Sequence, residues 1–113
     1  MDKRLSMLKD TLLILASPFE TQVAYLFNID PDHCGVGPDE LALEFDDMYR
    51  AVDGLEPDHA ALFEQLRKLD DLFAMMSATD NAHVWTSDAL RHSEDWQKVR
   101  TLAKSCLARM PQF

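Results

Sequence analysis

PDHAALFEQLRKLDDLFAMMSA, residues 57–78, places Leu62, Leu66, Leu69, Phe73 and Met76 at intervals of four, three, four and three. That period is the stripe of an amphipathic helix, not the alternation of a strand. Phe63, Leu72 and Met75 widen the stripe, so the helix is expected to touch neighbours on two sides. Glu64, Arg67, Lys68, Asp70 and Asp71 are left for a wet face. The expected role is the central helix of a small bundle, a role that builds a fold and catalyses nothing.

The flanking sequence reads the same way. Leu5, Leu8, Leu12 and Leu15 mark a first helix over about residues 2–16. Ser17-Pro18-Phe19-Glu20 then has the form of a capping box with proline at the first helical position, where its missing N–H costs nothing. The second helix should run to about Asn28 with Phe19, Val23, Leu26 and Phe27 inward and Tyr25 at its edge. So short a join requires a sharp corner between the two. Pro38-Asp39-Glu40 opens a third helix that Gly54 should close as the residue after its C-cap, with Leu41, Phe45, Met48 and Val52 inward. Thr79-Asp80-Asn81 ends the central helix, and one or two helical turns follow around Val84, Trp85 and Leu90. Ser93-Glu94-Asp95 caps a closing helix with Trp96, Val99, Ala103, Cys106 and Met110 on its apolar stripe.

The expected class is therefore all-α: one compact bundle of about five helices, with an irregular loop near residues 28–38. With 113 residues, 47% of them apolar, the chain suits one domain that buries roughly two-thirds of its unfolded surface. Three glycines and five prolines leave too few turns for a β-sandwich. Cys34 and Cys106 make neither a disulfide framework nor a metal knuckle, which fits reduced thiols in a cytosol. Lys9 and Asp10 interrupt the apolar N-terminal segment before it reaches the length of a signal-peptide core, so export is not expected. No run approaches the ~20 apolar residues of a membrane span. A cytoplasmic protein is the expectation.

Charge is the most informative non-structural feature. Between Asp30 and Asp58 stand ten acids and one base, Arg50, and the rest of the chain holds ten of each, so the whole net charge of −9 lies in the loop and third helix. Such a face repels nucleic acid and anionic membrane and favours capture of a basic protein. Glu40, Glu44 and Asp47 fall on one flank of the third helix and Asp39, Asp46 and Asp53 on the other, with Leu43 and Arg50 between them, opposite the core. A leucine framed by carboxylate rows is a candidate anchor for a partner. The candidate partner-binding residues are Asp39, Glu40, Leu43, Glu44, Asp46, Asp47 and Arg50. The blander reading is a solubilising surface.

The loop NIDPDHCGVGP, residues 28–38, is a second candidate, because loops on rigid scaffolds carry function. Asp30, Asp32 and His33 are its candidate side chains, although their spacing with Cys34 matches neither a calcium loop nor a zinc knuckle. Its glycines lack the pattern of a phosphate cradle, and its aspartates would repel a phosphate. His33, His59, His83 and His92 are scattered, no HExxH, GxSxG or paired-Cys motif occurs, and Cys106 reads as a packed thiol. No catalytic residue, metal or cofactor is expected, and the chain is not expected to be an enzyme. The leading expectation is a small acidic inhibitor or immunity-type protein that neutralises a basic partner such as a bacterial nuclease toxin. The alternatives are an adaptor bundle that forms a homodimer through apolar patches around Trp85, Met75 and Phe113, and, behind it, a metal-dependent enzyme using the carboxylates of residues 30–47.

Overall fold

The structure, a computed structural model, describes residues 2–29, 37–78 and 83–111. It is an all-α bundle, with no strand among the described residues. The helices are α1 (Lys3–Leu15), α2 (Phe19–Ile29), α3 (Asp39–Ala51), α4 (Ala60–Met76), α5 (Ser87–His92) and α6 (Glu94–Ala108). A 3-10 turn, Glu56–Asp58, precedes α4.

Each leucine of the α1 stripe is buried, and the Asp2 side chain accepts the backbone N–H of Arg4 at 2.8 Å to cap the helix. The α4 stripe is equally buried, from Leu62 to Met76. The helix starts later than its sequence suggests, because Pro57 lies in the 3-10 turn and His59 breaks the regular backbone at φ −141°, ψ 44°. Met75 does not widen the stripe and is 47% exposed. At 3.6 residues per turn it lies about 60° beyond Leu72, which already marks the edge of the core. α4 packs against α6, α3 and the 3-10 turn, and it shares the centre of the bundle with α6, against which α1 and α5 also pack. On α6, Trp96, Val99, Ala103 and Cys106 are wholly buried and Ser93 caps the first turn by accepting the N–H of Asp95; Met110, expected on the same stripe, lies just past the Arg109 C-cap and is half-buried.

The second helix is rotated relative to its apolar residues. Val23 and Phe27, expected inward, are 38% and 47% exposed, while Gln22 is wholly buried beside Leu26. The cause is hydrogen bonding. The Gln22 amide donates to the carbonyls of Ile14 and Leu15 at 3.2 and 3.1 Å, and its oxygen accepts from Arg100 Nη2 and Nε at 3.0 and 3.2 Å. Arg100 also donates to the Leu90 carbonyl, so one glutamine and one arginine join α1, α2, α5 and α6. The expected capping box does not form. Ser17 Oγ instead donates to the Leu13 carbonyl at 2.6 Å, and the Pro18 carbonyl accepts the first helical N–H groups, from Thr21 and Gln22. Gly54 adopts φ +94°, the conformation expected of it, but two residues past the Val52 C-cap rather than one.

An aromatic series holds the side of the bundle that positions the candidate site. Phe45 stacks on Tyr49 at 5.6 Å and meets Phe73 at 5.5 Å; Phe73 meets the edge of Trp96 at 6.0 Å; Trp96 meets Trp85 at 5.9 Å. Trp96 is fixed further by its indole N–H, which donates to the Val84 carbonyl at 2.7 Å. Such pairs add to the burial of their own surface and set the distance between α3 and α4.

Candidate functional site

Between α3 and α4, beside Trp85, lies an open groove of about 690 Å³. Phe45, Phe73, Ala74 and the outward Leu43 give it an apolar floor and edge, and Asp39, Asp46 and Asp70 stand on its rim. Leu43 is 54% exposed, the most exposed large apolar side chain among the described residues, and it points away from the core as the sequence requires. Gly37, Asp39 and Trp85 mark one end, since a Cβ on Gly37 would lie 3.2 Å from an Asp39 carboxylate oxygen and 3.7 Å from the Trp85 carbonyl. Asp46 and Asp70 are neighbours elsewhere along it. Burial, then the charges of Asp46 and Asp71, hold the Asp70 carboxyl above the usual carboxylate range, and Arg50 opposes them.

Candidate residues of α3 divide between two sides. Asp39, Leu43 and Asp46 face the groove. Glu44 and Asp47 instead border a smaller notch of about 270 Å³ with Asp10, Met7 and Tyr25. There the Tyr25 hydroxyl lies 2.7 and 2.8 Å from the two oxygens of Glu44 and donates to that carboxylate, tying α2 to α3. Burial, then the hydrogen bond and charge of Glu44, push the Tyr25 phenol up to about 12. Glu40 is half-buried, and burial followed by the charges of Glu44, Asp39 and Asp47 raises its pKa. Arg50 is exposed and pairs with Asp46 at 3.0 Å, one helical turn away. Asp30, Asp32 and His33, like Cys34 and Phe113, lie outside the described residues.

Asp70, Phe73 and Trp85 complete a site that the sequence divides among separate segments. Asp70 has the form of a routine wet-face residue of α4, and Trp85 that of part of an apolar patch. Only the packing of α4 against α3, with Trp85 held on Trp96 of α6, brings them beside Leu43. One signal was present, because Phe73 on the α4 stripe and Phe45 on the α3 stripe are large aromatics that hold two helices apart. Trp85 is half-buried and Met75 exposed.

Little of the arrangement has the form of a reaction centre. Cys106 is wholly buried, and burial pushes its thiol up to about 12, the opposite of what activates a nucleophile. Among the described residues no three His, Cys, Asp or Glu side chains come together as a metal-binding group. No helix among them is long and apolar enough to cross a membrane. What the groove offers is apolar area framed by carboxylates, of which Asp46 is paired with the exposed Arg50; such a surface is chemically complementary to a cationic, partly apolar group. Comparison with family models, curated proteins and solved structures finds no significant match to the chain.

Proposed function

We propose that the protein is a small acidic protein-binding module, an inhibitor or immunity-type protein of the cytosol that neutralises a partner with a basic surface. A bacterial toxin is the kind of partner that fits. The reading is carried by the coincidence of the charge with exposed apolar surface on α3: Leu43 stands over an apolar groove, and Asp39, Asp46 and Asp70 rim it. A surface kept only for solubility has no need of apolar area beside its carboxylates, whereas a binding surface combines a desolvated anchor with a polar rim. The negative field would steer a basic partner to the face, and the apolar contact would hold it there. The same field disfavours nucleic acid.

The test is capture of partners from the native host, followed by association kinetics with Asp47→Lys/Asp53→Lys. Both side chains are exposed, neither lines the α3–α4 groove, and the change removes four units of negative charge. The expected result is a basic partner whose association slows by about tenfold at low salt, with a weaker dependence on ionic strength. An unchanged association rate would make the acidic face a solubilising surface only.

A further inference from the structure

We infer that the α3–α4 groove receives an amphipathic basic helix of the partner: two lysine or arginine side chains seven residues apart meet Asp39 and the Asp46/Asp70 pair, and an aliphatic side chain between them packs against Leu43 and Phe73. This rests on the reading of the acidic face as a partner surface and names the element that the face receives.

Both long walls of the groove are helices, whose backbone donors and acceptors are taken up within the helices themselves. They offer no free edge to a strand, so an extended peptide would gain no ladder of hydrogen bonds. A helix laid in the groove needs none, because its own backbone is already satisfied. The spacing of charges fits the same occupant. Asp39 and Asp46 are seven residues apart on α3, two turns or ~10.5 Å along the axis. A partner helix lying nearly alongside α3 repeats that distance between its own residues i and i+7, and residues i+3 and i+4 fall between them. That intermediate position faces Leu43 on α3 and Phe73 and Ala74 on α4.

Among the described residues Arg50 is the one cation paired at the rim, and the occupant would supply the others. Among the described residues no ion pair forms at Asp39 or Asp70, and the Arg50 pair with Asp46 is solvent-exposed at 3.0 Å. An exposed pair of that kind is weak and easily exchanged. A cation placed between Asp46 and Asp70 would relieve their repulsion, and its alkyl stem would lie on apolar surface. The complementarity is therefore of charge, of apolar area and of spacing together.

The test uses a built-in reporter, because Trp85 lines the groove while Trp96 is wholly buried in the core. An acetylated, amidated helical peptide with lysines at i and i+7 and leucines at i+3 and i+4 is titrated into the full chain while indole emission is followed. A peptide of equal composition with the two lysines moved to the opposite face serves as control, and a third peptide carries a central proline. The in-register peptide is expected to give a saturable change that Trp85→Phe abolishes. It should bind at least tenfold more tightly than either control and lose at least tenfold with Asp39→Asn/Asp70→Asn or with Leu43→Ala. Equal binding of all three peptides overturns the inference, leaving only diffuse charge. An emission change that follows protein concentration without peptide also overturns it, because a second copy then fills the groove. If no peptide binds while a basic partner is still captured with salt-sensitive kinetics, the partner surface stands and the helix recognition fails. Failure of the Asp47→Lys/Asp53→Lys experiment, whose residues lie outside the groove, instead removes the wider functional reading.

Discussion

Two clusters of polar side chains in this bundle are treated in opposite ways. Around Gln22 and Arg100 the groups are drawn inside, and each has a partner: two carbonyls of α1 accept the amide N–H groups, the guanidinium donates to the amide oxygen, and the Leu90 carbonyl accepts from Arg100. Along α3 and α4, Asp39, Asp46 and Asp70 share a rim with one exposed arginine paired to one of them. No buried side-chain polar atom is left without a partner among the described residues. The fold thus satisfies its polar groups where burial makes an unpaired one costly, and tolerates like charge on the outer faces of α3 and α4, beside the groove and on the Glu40–Glu44 flank. Polar residues of the first kind hold helices together. Those of the second kind oppose folding slightly, as the raised pKa of Asp70 shows.

The core against which both clusters are built sets the scale. Leu69 is wholly buried on α4, and Leu69→Ala should cost about 2 to 5 kcal/mol, read by denaturant unfolding. A cost near zero would mean that α4 does not sit where the bundle needs it.

Next in size is the inner cluster. Gln22→Leu keeps nearly the same bulk but removes one of the two acceptors of Arg100 and leaves two carbonyls of the α1 end without the amide. The expected loss is about 1 to 3 kcal/mol, the range for buried groups left unpaired. Adding Arg100→Met should cost less than the sum of the two single changes, because the groups share one network. Strict additivity would show that the cluster is not a unit, and the contrast with the groove would weaken.

The outer cluster should respond with the opposite sign. Burial and the Asp46 charge raise the Asp70 pKa in the folded state, so the folded protein takes up this proton at a higher pH than the unfolded chain. Above its folded-state pKa the ionised Asp70 is a penalty to stability, and as pH falls through that value towards the unfolded one the penalty is relieved. Asp70→Asn should therefore stabilise the protein slightly at neutral pH, with the gain shrinking as the carboxyl protonates. Thermal unfolding of both proteins from neutral to acid pH measures this, and a variant less stable at neutral pH would place Asp70 among the structural polar groups. Glu40, whose pKa is also raised, acts in the same direction in both proteins and cancels in the difference.

The contrast between the clusters also explains which parts of the molecule its sequence could disclose. Leucine stripes on α1 and α4 and the Ser93 cap follow from periodicity and local chemistry, which act within one helix. The orientation of α2 does not, because Gln22 turns inward to reach Leu15 and Arg100, the latter far along the chain. A polar residue carries no hydropathic sign that it will be buried. The outward face of α3 is legible, with Leu43 between its carboxylates, whereas Asp70 joins that face only through the packing of α4 and Trp85 only through its contact with Trp96. Hydrophobicity alone does not place Met75, since its angular position puts it beyond the edge that Leu72 defines.

The smallest expected effect on stability is that of Leu43→Ala, and its smallness is what separates fold from site. Leu43 is 54% exposed and lies on α3 opposite Leu41 and Phe45, so truncation opens no cavity. Alanine also favours the helix, and the unfolding free energy should stay within about 0.5 kcal/mol of wild type. Were Leu43 packed against the core after all, the same change would cost several times more and the groove edge would have to be redrawn. Binding should respond differently, because a short-range apolar contact is made only after the partner has arrived. Its loss should raise the dissociation rate while leaving the salt-dependent association rate as in wild type. A slowed association with unchanged dissociation would mean that Leu43 acts through the shape or charge of α3 and not as an anchor.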